Sequence, residues 1–192
     1  MKTINTYLLK ALEAYPYDIT GTVEALNYAL SYEPDNAHAL SLMGQVYHEQ
    51  LHEYEEARAY YEAALASRLD IPTVYAKYIH LLLHADDFNE AQKVIDFAIT
   101  VKGVDKAGIM AAQGQLYEHL EQFEKAREAL LEAKFLALNS DFMNWIDGEL
   151  ERVKKKVHYL QHRKKSETQE QKIAPQPAKQ KSWFVNRLNN LL

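Results

Sequence analysis

Apolar residues recur along most of the chain at the three- and four-residue spacing of amphipathic helices. One apolar stripe contains Leu40, Met43 and Tyr47, and a second stripe begins a few residues later at Tyr54 and continues to Leu65. Two amphipathic stripes in close succession are typical of two helices that fold against each other. The pattern therefore predicts helices paired as hairpins over the first three quarters of the chain.

The hairpin pattern repeats every 34 or 35 residues. Three sets of equivalent positions share this period, namely Ala29, Ala64, Ala98 and Ala133, then Ala57, Ala91 and Ala126, and finally Tyr47, Leu82 and Tyr117. A fixed period of this length indicates stacked units that bury a common core. We expect small residues such as Gly44 and Gly114 where two helix backbones approach closely, because a larger side chain would force the helices apart.

The order of residue types within each unit resembles the tetratricopeptide repeat (TPR) family, whose pattern is a large residue, Leu-Gly, Tyr, Ala, an aromatic residue, Ala and finally Pro. The matching positions are Leu40, Met43, Gly44, Tyr47, Ala57, Tyr61 and Ala64, then Tyr75, Tyr78, Ile79, Leu82, Ala91, Ile95 and Ala98, and then Met110, Gln113, Gly114, Tyr117, Ala126, Leu130 and Ala133. Ile79 departs from the family's Gly and Gln113 from its Leu, while Thr22 replaces the usual Ala in a weaker first unit. The resemblance implies an all-α fold, an α-solenoid of TPR-like helical hairpins.

The predicted organisation has four parts. Residues 1–139 form a TPR-like repeat domain of about four hairpins, and residues 140–160 form a capping helix that should cover the open apolar end of the last hairpin. Residues 161–181, rich in Lys, Gln, Ser and Pro, are predicted to be a flexible basic linker. Residues 182–192 are predicted to be an amphipathic helical docking motif. Its apolar side carries Trp183, Phe184, Leu188, Leu191 and Leu192.

Composition narrows the possible functions. The 192 residues include no Cys, 6 Gly and 5 Pro, which excludes disulfides and thiolate metal sites and disfavours phosphate-cradling loops. Lys10 and Glu13 interrupt the N-terminal apolar stretch, so we expect no signal peptide and a cytoplasmic location without a cofactor. The net charge of −5 divides into −13 for residues 1–150 and +8 for residues 151–192. The basic tail leaves contact with a membrane surface or nucleic acid as an alternative.

Residues 48–52 read His-Glu-Gln-Leu-His and match the HExxH pattern, in which two His bind zinc and the Glu is a general base. A zinc-dependent hydrolase is therefore an alternative function. The repeat register, however, puts His48 near the end of one helix and His52 in a turn, and no third-ligand motif follows. We accordingly assign no metal ligand and no catalytic residue.

The resemblance to TPR proteins also implies a binding surface. In that family the first helices of successive hairpins line a concave groove that holds a peptide or helix of a partner protein. The corresponding positions here are His38, Ser41, Gln45, His48, Thr73, Lys77, His80, His84, Ala111, Gln115 and Glu118. We therefore predict a non-catalytic adaptor or scaffold that binds another protein in this groove. The C-terminal motif is predicted to dock on a partner or back on its own repeats.

Overall fold

The computed structural model describes residues 5–173, with side chains described for residues 5–163. Within that range the chain forms nine α-helices, one π-helical turn and no strand, which confirms the all-α prediction. The helices are α1 Thr6–Ala14, α2 Ile19–Tyr32, α3 Ala37–Val46, α4 Tyr54–Ser67, α5 Pro72–His84, α6 Phe88–Ala98, α7 Lys106–His119, α8 Phe123–Leu136 and α9 Ser140–Ile173. The π-helical turn, Tyr47–Leu51, lies between α3 and α4.

The first eight helices pair as four consecutive hairpins, α1–α2, α3–α4, α5–α6 and α7–α8. Two of the three apolar clusters contain residues from neighbouring hairpins. The third contains residues of the last hairpin and of α9. One joins α1 and α2 to α3, the next joins α3 through α6 to α7, and the last joins α7 and α8 to α9. Burial therefore continues from hairpin to hairpin, as in an α-solenoid. The predicted TPR-like solenoid is confirmed.

Small residues allow the two helices of a hairpin to approach closely. A Cβ atom added at Gly44 would lie 3.1 Å from the ring of Tyr61 and 3.2 Å from the carbonyl oxygen of Ala57. A Cβ atom at Gly114 would lie 2.7 Å from Cγ of Leu130. At the equivalent position of the third hairpin stands the buried Ile79, and there α5 and α6 approach each other less extensively. The size of this residue therefore sets the helix spacing.

Side chains and turns define where the helices begin and end. Six helices start at a side chain that accepts a hydrogen bond from a backbone N–H in the first turn, and these N-caps are Asn5, Asp18, Asn36, Asp87, Asp105 and Asn139. The turns inside hairpins two, three and four each contain a residue with left-handed backbone at φ 56° or 57°, namely His52, Asp86 and Glu121. These positions recur at the repeat period, so all three hairpins turn with a residue of the same backbone conformation.

The last helix is longer than the sequence predicts. It begins at Ser140, but it ends at Ile173 and not near Leu160, so residues 161–173 are helical and not part of a flexible linker. The physical reason is that this stretch contains Lys, Arg, Glu and Gln, which favour helix, and lacks Gly and Pro. The buried residues Ile146 and Val153 of α9 join the apolar cluster of the fourth hairpin.

The chain divides into two compact units at Val153. The second unit contains the rest of α9, where the rings of His158 and His162 lie 4.4 Å apart. The docking motif, with Trp183, Phe184, Leu188, Leu191 and Leu192, lies outside the described residues, as does the remainder of the predicted linker. None of the helices between residues 5 and 173 is both long and apolar enough to cross a membrane.

Candidate functional site

The predicted groove residues separate into two groups according to their exposure. Seven are exposed or half-buried, namely His38, Gln45, Thr73, Lys77, His80, His84 and Gln115. Four are buried, namely Ser41, His48, Ala111 and Glu118. The structure therefore leaves only part of the predicted surface open to a partner.

Four of the predicted residues line one pocket of about 510 Å³ between the π-helical turn and α5. Lys77, His80 and His84 share one face of α5 because they are three and four residues apart. His48 faces them from the end of the preceding hairpin's first helix. The full lining is His48, Glu49, His52, Tyr54, Ala76, Lys77, His80 and His84, and we refer to it as the histidine pocket.

The π-helical turn Tyr47–Leu51 places His48 in this pocket. The second hairpin has one more residue in its turn than the TPR pattern, and a π-helical turn accommodates such an insertion. His48 lies within the π-helical turn with only 5% of its surface exposed, whereas His52 ends that turn with left-handed backbone. The two His of the HExxH pattern are therefore not held one turn apart on a regular α-helix, as the zinc pattern requires. Across the described part of the chain, no three His, Cys, Asp or Glu side chains come together as a metal site.

A hydrogen bond joins the two hairpins across the pocket. Nε2 of His48 lies 2.8 Å from Nδ1 of His84, and Nδ1 of His48 is buried without a hydrogen-bond partner. A buried N–H donor without an acceptor is costly, so the proton of His48 belongs on Nε2, which donates to His84. Burial, and next the neighbouring His84, lower the pKa of His48 to about 4. His48 is therefore neutral near pH 7.

The other titratable groups of the pocket affect one another's pKa. Burial lowers the pKa of Lys77. Burial, and next the neighbouring His84, lower the pKa of His80, while Glu49 acts in the opposite direction on both groups. The carboxylate of Glu49 accepts hydrogen bonds from the Tyr15 hydroxyl and from Nε2 of Gln45, the latter at 2.9 Å. Among the described carboxylates, none lies within 4.0 Å of the Lys77 ammonium.

The capping helix α9 covers part of the predicted groove, which corrects two of the predicted contact residues. Ala111 is 2% exposed in the apolar cluster that includes Ile146 of α9. Glu118 is 7% exposed, and its carboxylate accepts hydrogen bonds of 3.0 and 2.6 Å from Arg152. Both residues are therefore held against α9 and do not offer a free surface. The sequence could not show this, because the stripe of α9 does not specify which face of α7 it contacts.

Ser41 also needs correction, since it is 4% exposed and its hydroxyl has no hydrogen-bond partner. It belongs to the interior of α3 and not to the groove surface. A second pocket of about 800 Å³, which the sequence did not indicate, lies on α2. Its lining includes Ile19, Val23, Tyr28 and Leu51. No sequence motif marks it, because these residues belong to the ordinary apolar periodicity of their helices.

Comparisons with known proteins identify the fold. No family model matches the chain, and no curated protein matches it. Solved structures do match. One, from a functional characterisation of PilF of Pseudomonas aeruginosa, has a TM-score of 0.69 at 19% identity over 82% of this chain and 71% of that chain. The type IV pilus biogenesis factor PilW matches with a TM-score of 0.63 at 16% identity, over 79% and 77% of the two chains.

A third match is the first TPR domain of the human RPAP3 protein, with a TM-score of 0.58 at 17% identity, covering 67% of this chain and 98% of that domain. These identities are low, so the matches show the fold and not a shared partner or pathway. The chain therefore has the TPR architecture. This agrees with the repeat period and with the residues that carry the pattern in the sequence.

Proposed function

We propose that this protein is a non-catalytic adaptor or scaffold that binds a peptide or helix of a partner protein along α3 and α5. The observation that carries the proposal is the histidine pocket, a polar recess between the first helices of two successive hairpins. A partner chain lying across these helices would place side chains into this recess. The TPR fold supports a protein-interaction role in general.

The rigidity of the repeats favours binding. Tyr61, Ile79 and Leu82 are fully buried, so the helices that carry the pocket are held by a continuous apolar core. A surface that is ordered before the partner arrives loses little conformational entropy on binding. The pocket groups also lie along an open recess and do not converge in a closed cavity, an arrangement that suits recognition better than catalysis.

The proposed binding surface is narrower than the one the TPR resemblance implied. We assign it to Lys77, His80 and His84, which lie over the buried His48, with Gln45 as a flanking residue beside Glu49. His38, Thr73 and Gln115 remain open to water but do not line the pocket. Partner contacts should therefore concentrate on the second and third hairpins.

The C-terminal motif remains part of the proposal on sequence grounds alone. Its apolar residues from Trp183 to Leu192 would dock on a partner protein or on the repeats, and the −13 charge of residues 1–150 would attract the basic tail. Contact with a membrane surface or nucleic acid is the lesser alternative. We propose a cytoplasmic location, which the cysteine-free composition favours.

Site-specific photo-crosslinking in the native host tests the proposed function. A benzophenone amino acid placed at Gln45 or His80 should capture a partner, whereas the same residue at Ala63 or Glu132, exposed on second helices, should not. Mass spectrometry then identifies the captured protein. Capture from Ala63 and Glu132 alone would show that the partner binds the opposite surface.

A further inference from the structure

The histidine pocket contains a cation that forms no salt bridge with a described carboxylate. The Lys77 ammonium is half-buried, and no described carboxylate lies within 4.0 Å of it. The carboxylate inside the pocket, Glu49, already accepts hydrogen bonds from Tyr15 and Gln45. A partly buried positive charge is costly unless it is paired, so the pocket favours a negatively charged ligand.

The His48–His84 hydrogen bond gives the pocket a second donor. Because His48 donates from Nε2, Nδ1 of His84 must accept. A His84 ring whose Nδ1 accepts carries its own proton on Nε2, the nitrogen on the side away from His48. Since His84 is exposed and lines the pocket, this N–H is available to a ligand.

We propose that the histidine pocket binds a side-chain carboxylate of an internal acidic segment of the partner, and that binding adds a proton to His80. This inference rests on the proposed function and specifies the chemistry of the partner. Lys77 and the Nε2–H of His84 would hold the carboxylate, and His80, one helical turn before His84, would become positively charged beside it.

His80 is the group best placed to accept the proton. Protonating His84 would require its Nδ1 to donate towards His48, which would force the proton of His48 onto its buried Nδ1. The other groups that line the pocket are Glu49 and His52 from the π-helical turn and its end, Tyr54 from α4 and Lys77 from α5. Among these groups, Glu49 favours the charged form of His80. The neighbouring His84 disfavours that form.

The pH dependence follows from linkage. In the free pocket, burial holds the pKa of His80 below its usual value, so this ring is mostly neutral near pH 7. A bound carboxylate favours the charged ring and raises that pKa. Binding therefore takes up a proton, and affinity increases as the pH falls towards the pKa of the free pocket.

Fluorescence anisotropy on the full chain tests the proposal. The probe is a ten-residue peptide of alternating Glu and Ala, acetylated, amidated and labelled with rhodamine, whose emission does not depend on pH in this range. We expect its Kd to decrease about threefold to tenfold between pH 7.5 and pH 6.0, since uptake of about one third to two thirds of a proton over this range changes log Kd in proportion. The matched peptide of Gln and Ala should not bind.

Three variants separate the two parts of the proposal. Lys77→Gln and His84→Gln should each weaken binding of the acidic peptide about tenfold, and His84→Gln should keep the pH dependence. His80→Gln should remove the pH dependence. The matched controls are His119→Gln and Lys102→Gln, which do not line the pocket and should bind as the parent does.

Equal affinity for the Glu and Gln peptides, or no binding of the Glu peptide, would overturn the inference. So would a pH dependence that persists in His80→Gln, or binding only by a peptide with a free C-terminal carboxylate. A partner captured from the benzophenone at Gln45 does not depend on an acidic ligand. That capture would therefore sustain the proposed function even if the carboxylate site were absent.

Discussion

Among single residues, the buried His48 shows how the position of a side chain in the fold changes its pKa. Its ring lies between Tyr54 and His84, with ring centroids 5.9 and 5.0 Å away, and water reaches little of it. The same residue type on the exposed surface of α3, at His38, meets no such environment. Burial, and next His84, therefore make His48 a titrating side chain that affects stability.

Stability should fall in mild acid because of His48. The fold lowers its pKa to about 4, whereas the unfolded chain holds it near its usual value. As the pH drops below about 6.5, the unfolded state binds the proton first, so the free energy of unfolding falls, by about 2 kcal/mol between pH 7 and pH 5. Urea unfolding at the two pH values measures this. The loss should shrink in His48→Gln and persist in His38→Gln.

The same substitution, Gly to Ala, should change stability in opposite directions at two glycines. Gly114→Ala should destabilise the protein by about 1 to 3 kcal/mol, because its Cβ would lie 2.7 Å from Cγ of Leu130. Gly148→Ala should stabilise it by about 0.5 to 1 kcal/mol, since nothing lies within 4 Å of the new Cβ and Ala favours helix. Thermal melting followed by circular dichroism compares them. Equal shifts would contradict the assigned contact between α7 and α8.

At the scale of elements, α9 makes both apolar contacts and ion pairs. Its apolar residues cover the end of the fourth hairpin, and its Arg152 pairs with Glu118 of α7 and with Glu149 one turn earlier. These contacts anchor α9 on a helix that the TPR pattern assigns to the groove. No described residue of α9 lines the histidine pocket, which lies between the second and third hairpins.

Breaking the Arg152 contacts should loosen α9. Arg152→Ala removes one ion-pair partner of the buried Glu118 carboxylate and should cost about 1 to 3 kcal/mol, reduced by the partial exposure of Arg152. Amide hydrogen exchange should speed up in residues 140–153 and stay unchanged in α1. Lys93→Ala, which removes an exposed pair with Glu90, is the matched control and should alter neither. Unchanged exchange in α9 would show that apolar contacts alone hold it.

At the scale of the whole molecule, the first compact unit ends near the position where the net charge of the chain changes from negative to positive. The compact repeat unit ends at Val153, and the basic residues accumulate after residue 150. Within the described residues, the apolar cluster that holds α9 includes no residue beyond Val153. The stability of the repeats should therefore depend on the first part of α9 and not on the rest of the chain.

A chain that ends at Gln161 should melt at the same temperature as the full chain, because it keeps Ile146, Leu150 and Val153 in their cluster. Thermal melting at low and at moderate salt checks this expectation. A lower melting temperature for the shortened chain, relieved by salt in the full chain, would show instead that the C-terminal residues dock on the repeats.

Local patterns in the sequence determined the repeats. Helical periodicity and small residues at fixed intervals are properties of neighbouring positions, so the four hairpins and the tight contacts at Gly44 and Gly114 could be predicted. The resemblance also indicated which helices would carry the groove, and it assigned His48, Lys77, His80 and His84 to it before the structure grouped them.

Only the tertiary structure decided how that groove is divided. The His48–His84 hydrogen bond joins residues 36 positions apart, and the Arg152–Glu118 pair joins residues 34 apart. Such contacts depend on the exact rotation of each helix about its axis, which a π-helical turn or a capping helix can change without altering the apolar periodicity. The burial of Ala111, Ser41 and Glu118 follows from those rotations and not from the repeat pattern.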